Sequence, residues 1–309
     1  MSTDAIPSGL WPVMVTPFHE DRSIDWRGVD ALTDWYLSAG AVGLFAVAQT
    51  SEMYAMSREE RLALAERVVK RVDGRAPVVA SGTFGGPMDR QIRDVRAMAD
   101  TGVDAVIVIT SQLAGLGESD RVLTERLLQL HSGVPDARLG LYECPLPYKR
   151  LLPAEVLHVL AETGAYVFLK DTTEQPKAIS QKVAVVEGTR LKIFNAEMSS
   201  LLESVRSGAH GFCGNAGNYY PELVQWLCEA GMRDDADAQR LQHVMTVVDA
   251  VVSSPLYPAS AKAFLSSARG IDILPVCRVT NVRLGEHDLR QLSHLDELVR
   301  DLKLPVQLV

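Results

Sequence analysis

The chain has 309 residues, 47% of them hydrophobic, enough to bury a full-size core as one large α/β barrel or two ordinary domains. Its 31 Lys and Arg against 39 Asp and Glu give a formal charge of -8 with no basic block, which argues against a nucleic-acid partner. No apolar run reaches the roughly 18 residues that cross a bilayer, and the N-terminus MSTDAIPSGLWPV has neither the charged n-region nor the long apolar stretch of a secretory signal, so no membrane partner and a cytoplasmic location are expected.

In chain order, short β-branched runs alternate with amphipathic segments. The runs begin near Leu10 (LWPVMVTPF), Gly43 (GLFAVAQ), Pro77 (PVVASG), Ala105 (AVIVIT), Leu139 (LGLYECP), Val167 (VFLKDT), Lys192 (KIFNAE) and His210 (HGFCGNAG). Between them lie segments such as SREERLALAERVVKRV and ESDRVLTERLLQL, whose apolar residues recur every three or four positions. Gly40, Gly74, Gly102, Gly164 and Gly208 stand where such helices stop.

Eight strands, each followed by a helix, predict a (β/α)8 TIM barrel, a fold that typically takes about 250 residues. The eighth helix, PELVQWLCEAG, ends near Gly231, so the barrel is expected over residues 1–231. Residues 232–309 read as a C-terminal helical extension packed on it, with helices over 234–252, 259–267 and 286–302. A doubly wound open sheet is the other architecture weighed. It would announce itself with a glycine-rich turn after the first strand, where this chain has TPFHED, and the SGTFGG after the third strand lacks both GxGxxG spacing and a phosphate-holding lysine.

In such barrels the active site is built at the C-terminal strand ends. Here those ends supply Thr16, Gln49 with Thr50, Ser81, Thr110, Tyr142, Lys170 with Thr172, Asn195 and Asn215. One amine and one phenol stand out among neutral hydrogen-bonding groups, without paired carboxylates or a Ser/His/Asp set. The four cysteines, Cys144, Cys213, Cys228 and Cys277, form no CxxC pair and suit a reducing compartment, and the seven histidines are scattered, so no metal and no cofactor are expected.

Strand alternation puts Lys170 on the face of Phe168 and Tyr142 on the face of Gly140, both directed into the barrel mouth. A lysine in an apolar site is pushed toward its neutral form, and neutral amines attack carbonyls. The protonated imine that follows is an electron sink, and a neighbouring tyrosine can carry the protons. The plainer alternatives are a lysine that reaches solvent or pairs with a carboxylate such as Asp171, and a half-buried tyrosine whose hydroxyl is satisfied locally.

Across nearly its whole length the chain resembles the pyruvate-dependent class I aldolases and lyases that include dihydrodipicolinate synthase and N-acetylneuraminate lyase. The likeness runs through PVMVTPF, through AQTSE where the family has G-[ST]-T-G-E, and through LYECP where it has L-Y-N-x-P. It continues through FLKD for I-K-[ED], GAHGFCGNAGN for G-A-x-G-x-I-S-x-x-x-N, and PASAKAFLSSARG for P-x-K-x-x-L-x-x-x-G.

The resemblance implies that Lys170 forms the Schiff base, that Tyr142 transfers protons, and that Thr50 holds the carboxylate of a 2-oxo acid. Ser51, in place of the motif glycine, adds a donor, and Thr172 matches a substrate-touching position of the lyase branch. It also implies a homotetramer. Three departures matter. Gln49 replaces the first hydroxyl residue of G-[ST]-T-G-E, and TSQLAG replaces a P-Y-Y segment, so the family's intersubunit proton relay is missing. Pro147 stands where dihydrodipicolinate synthase has a carboxylate-gripping arginine, and Met198 and Ser199 stand where the sialic acid lyase has an acidic pair; lysine biosynthesis and sialic acid are both disfavoured.

The expected function is that of a Schiff-base lyase on a 2-oxo acid: aldol cleavage or condensation, dehydration or deamination. Asn195, Asn215 and Glu197 are expected near the variable end of the substrate, with Glu197 alternatively a helix-start carboxylate. A catalytically weakened barrel that binds 2-oxo acids or regulates is the second reading, and a phosphate-binding or metal-dependent barrel the third.

Overall fold

The computed structural model describes residues 6–231, 236–253 and 255–308. The eight apolar runs become eight strands, β1 (Gly9–Leu10), β2 (Leu44–Val47), β3 (Val78–Ser81), β4 (Ala105–Ile109), β5 (Leu139–Tyr142), β6 (Tyr166–Asp171), β7 (Lys192–Asn195) and β8 (Gly211–Phe212). Every strand residue but Lys192 is buried, as expected where helices cover one face of a parallel sheet and the barrel interior fills the other. The strands pair in parallel in the order β1-β8-β7-β6-β5-β4-β3-β2.

A bridge between Val13 and Phe45 closes the ring, with Met14 N–H on the Phe45 carbonyl and Phe45 N–H on the Pro12 carbonyl, each at 3.0 Å. β1 is shorter than the apolar run promised because Pro12 and Pro17 carry no N–H to extend a ladder. Inside the barrel, Phe168 stacks on Phe194 at 4.5 Å between centroids and Trp11 meets both edge-on. Glycines make the room. A Cβ on Gly43 would lie 2.4 Å from the Trp11 ring, and one on Gly140 2.3 Å from Ile107.

The barrel helices are α1 (Trp26–Ser38), α2 (Arg58–Val72), α3 (Met88–Ala99), α4 (Asp120–Gly133), α5 (Ala154–Glu162), α6 (Pro176–Val186), α7 (Leu201–Arg206) and α8 (Pro221–Gly231). Local chemistry sets their starts: Asp25 caps α1, Ser119 caps α4, and Ser57 with Glu60 forms a reciprocal capping box on α2. All five glycines expected to stop helices adopt positive φ.

Three more helices follow, α9 (Ala236–Val252), α10 (Ala259–Arg269) and α11 (Glu286–Arg300); the expected start of the first, at Asp234, lies outside the described residues. Gln242 of α9 accepts from Leu202 N–H at 2.9 Å and donates to the Met198 carbonyl at 2.6 Å, so α9 sits against the turn after β7. Phe264 of α10 packs edge-on against Tyr219 and Tyr220, and the Tyr220 hydroxyl reaches Asp296 of α11 at 3.1 Å. Among the described residues, no helix is long and apolar enough to cross a membrane.

Candidate active site

Lys170 and Tyr142 are register partners across β5 and β6, so both side chains rise from the same level of the barrel mouth. The Lys170 Nζ lies 4.6 Å from the centroid of the Tyr142 ring and 5.9 Å from that of Phe45. Among the described residues, no carboxylate lies within ion-pair distance of it. Asp171 points to the opposite face, where it meets Lys182 at 2.5 Å and Thr173 at 2.7 Å. The plain alternative of a Lys170–Asp171 pair is thus unavailable.

Burial decides the state of the amine. A cation over an aromatic ring gains about 0.5–2 kcal/mol, whereas desolvation costs several kcal/mol per ion. Burial therefore holds the Lys170 pKa below the ordinary lysine value, against smaller opposing effects of the Cys213 and Cys144 thiols. The same burial, with Cys144 next to it, pushes the Tyr142 phenol well above its usual range. At neutral pH the pair is a proton-bearing phenol beside an amine biased toward its neutral form.

The other face of β6 carries a compensating cluster. Lys182 of α6 bridges Glu143 at 2.6 Å and Asp171 at 2.5 Å, with all three side chains buried. Leu152 N–H and Thr172 N–H complete the shell of Glu143 at 2.7 and 3.0 Å. Desolvation, reinforced by the neighbouring Asp171 charge, raises the Glu143 pKa despite Lys182.

Above Lys170 opens a cavity of about 390 Å³, lined by Gln49, Thr50, Tyr142, Lys170, Thr172, Glu197 and Asn215 among others. The expected site residues fall into two groups. Those seven face the cavity, with the Thr50 hydroxyl 3.3 Å from Asn215 Oδ1. Thr172, however, spends its hydroxyl proton on the Glu143 carbonyl at 2.6 Å. Glu197 accepts from Ser200 N–H at 3.0 Å and from the Ser199 hydroxyl at 2.6 Å, the helix-start role weighed for it.

Ser51 and Asn195 are not among the cavity-lining residues. The Ser51 hydroxyl is buried 2.8 Å from the carbonyls of Met14 and Ala46 and accepts from Ala48 N–H at 3.0 Å; it ties the turn after β2 to the core. Asn195 donates to Ser200 and Ser204 and accepts from Glu197 N–H at 2.8 Å, so it shapes the loop that presents Glu197.

Several lining residues lie outside the strand ends read from the sequence: Tyr54 in the turn after β2, Glu174 after β6, and Tyr257 and Val279 from the C-terminal region. Tyr257 accepts from Asn218 at 3.0 Å. Glu52, the last residue of the AQTSE stretch, is held with φ +62° and its carboxylate is buried. It meets Lys262 of the PASAK stretch at 2.6 Å and accepts from Arg278 and Val279 N–H at 2.5 and 2.9 Å. Two motifs 210 residues apart are therefore the halves of one ion pair. Lys149 and Arg150, near Pro147, are spent on Glu174 and Asp120.

Comparison with known proteins places this geometry among relatives. A model of the dihydrodipicolinate synthetase family matches residues 6–295. A 4-hydroxy-tetrahydrodipicolinate synthase of Marinobacter nauticus is 25% identical over 233 residues, 75% of this chain and 78% of its own. Among solved structures, a chloride-inhibited dihydrodipicolinate synthase from Acinetobacter baumannii complexed with pyruvate superposes with TM-score 0.83 at 20% identity, covering 94% of this chain and 98% of that one. A monomeric dihydrodipicolinate synthase variant superposes with TM-score 0.86 at 18% identity, covering 96% and 97%.

Proposed function

Because the chain belongs to the dihydrodipicolinate synthetase family, we propose that it is a class I lyase that acts on a 2-oxo acid through an imine on Lys170. The observation that carries the reading is the buried Lys170 amine, without a carboxylate partner among the described residues, beside the Tyr142 ring at the floor of the cavity. The neutral amine adds to the keto carbon. Tyr142 supplies the proton with which the carbinolamine hydroxyl leaves as water, and the iminium accepts the electron pair of the bond that breaks at the neighbouring carbons. The Thr50 hydroxyl, beside Asn215, orients the substrate carboxylate.

The far end of the cavity supports a hydroxyl-bearing substrate over one with a second carboxylate. The carboxylate-bearing lining residues are Glu52, paired with Lys262, Glu174, paired with Lys149, and Glu197, and Lys170 is the one basic residue of the lining. Synthesis of 4-hydroxy-tetrahydrodipicolinate, the activity in the curated relatives' name, fits poorly a chain with Pro147 at the arginine's place. Aldol cleavage or dehydration of a 2-oxo sugar acid, without a metal, is the finer reading. A homotetramer is proposed from the family resemblance, and light scattering tests it against the monomeric precedent.

The decisive experiment is borohydride reduction of the protein with pyruvate, followed by peptide mapping. Reduced pyruvate on Lys170, absent from Lys170→Ala, is the expected result. No adduct with pyruvate or with longer 2-oxo acids sinks the imine mechanism; an adduct without turnover of any 2-oxo acid would fit a binding or regulatory protein instead.

A further inference from the structure

A tyrosine that gives up a proton must recover one, and the two family positions that serve this end are Gln49 and part of TSQLAG here. An amide neither releases nor takes up protons at neutral pH. Cys144 lies two residues beyond Tyr142, and its thiol is fully buried at the centre of a small polar cluster. The Sγ donates to Gln49 Oε1 at 3.4 Å, lies 3.9 Å from the Tyr54 hydroxyl, and is close enough to the Tyr142 phenol to help raise its pKa.

Tyr54 carries the line outward. Its hydroxyl donates to the Leu146 carbonyl at 2.9 Å and lies 3.5 Å from Gln112 Nε2, within the segment that replaces the family's tyrosines. The residue is 39% exposed, so its hydroxyl can exchange with water. A buried phenol, a buried thiol and an exposed phenol thus lie next to one another, all within one chain.

We propose that Cys144 and Tyr54 are the proton relay of this enzyme, returning protons from solvent to Tyr142. The proposal rests on the Schiff-base reading above. The steps balance: Tyr142 gives its proton to the departing hydroxyl, Cys144 S–H reprotonates the phenolate, Tyr54 O–H reprotonates the thiolate, and water reprotonates Tyr54. One proton enters from solvent for each one delivered. A thiol suits the central place because its ordinary pKa of about 8.5 lies below the phenol's value of about 10, so the first return step runs downhill. Burial pushes both the Cys144 thiol and the Tyr54 phenol up, so the return from Tyr54 to the thiolate stays the uphill step of the path.

A buried cysteine is also a good packing residue, and the experiment must separate the two roles. Imine formation on pyruvate allows loss of a methyl proton to the enamine, so exchange of the methyl group in heavy water, followed by NMR, reads proton traffic without knowledge of the natural substrate. Cys144→Ala and Tyr54→Phe are each expected to slow exchange about tenfold or more, while the end-point yield of borohydride trapping on Lys170 is kept. Cys144→Ser, whose hydroxyl both donates and accepts, is expected to restore most of the loss. A packing role predicts the same exchange rate for the Ala and Ser variants. Exchange within about twofold of the unmodified chain in both Cys144→Ala and Tyr54→Phe overturns the relay alone. Absence of trapping in the unmodified chain overturns the relay together with the Schiff-base reading.

Discussion

Replacing Lys262 by Met keeps most of the side-chain volume but removes the ammonium that neutralises Glu52, leaving a fully buried carboxylate. Four contacts are lost: the ion pair at 2.6 Å, the bond to the Val276 carbonyl at 2.6 Å, the contact with Cys277 Sγ at 3.6 Å, and the approach to the Phe18 ring at 4.6 Å. Breaking one side of a buried pair costs about 3–5 kcal/mol. Glu52 keeps the N–H donors of Arg278 and Val279, which favours the lower end, about 3 kcal/mol. For a chain of this size that corresponds to a fall in Tm of roughly 6 °C. Scanning calorimetry at one scan rate, backed by urea titration, measures it. Adding Glu52→Gln should recover part of the loss, because a neutral pair carries no unpaired charge. A Lys262→Met protein within about 1 kcal/mol of the unmodified chain, or a double variant worse than the sum of the singles, would refute the assignment of this pair as the clamp between the β2 turn and the C-terminal helices.

Two further outcomes follow from the site. Lys170→Met removes a buried amine held below its ordinary pKa, so the folded chain binds fewer protons than the unfolded one between the two values and stability rises with pH across that window. The variant should be more stable than the parent at neutral pH by about 0.5–2 kcal/mol, with an advantage that shrinks as pH approaches 10; a pH-independent difference in urea midpoint would count against the buried neutral amine. Ser51→Ala strands the Ala48 N–H inside the protein and should cost about 1–3 kcal/mol in urea unfolding, with pyruvate half-saturation of trapping unchanged, whereas a large change in half-saturation would return Ser51 to the substrate.

The barrel was legible because its strands are covered on both faces and therefore read as unbroken apolar runs, five of them followed by a glycine-stopped helix. The placement of Lys170 and Tyr142 was legible for the related reason that alternation along a strand fixes which face a residue takes. Ser51 and Asn195 misled because a motif position gives the turn but not the direction of a short hydroxyl or amide within it; both are turned inward onto backbone and serine partners. Tyr54, Tyr257 and Val279 went unread because the cavity wall draws on turns and on the C-terminal region, where no periodicity points to the barrel mouth. Cys144 did carry a signal, since it shares the face of Tyr142 at a spacing of two, but a cysteine there reads first as packing.

The two neighbours Lys170 and Asp171 live in opposite worlds, one in the cavity and the other in the ion cluster with Lys182 and Glu143. This makes the genetic route to new activities discontinuous. Removal or addition of a single codon within Tyr166–Lys170 would exchange the two faces, setting a carboxylate at the cavity floor and driving an ammonium against Lys182. Lengthening the loop beyond Asp171, which carries Thr172 and Glu174 over the cavity, leaves that parity untouched. Diversification of this site is therefore open to substitutions and to loops of any length, and closed to odd-numbered edits of the strand that bears the amine.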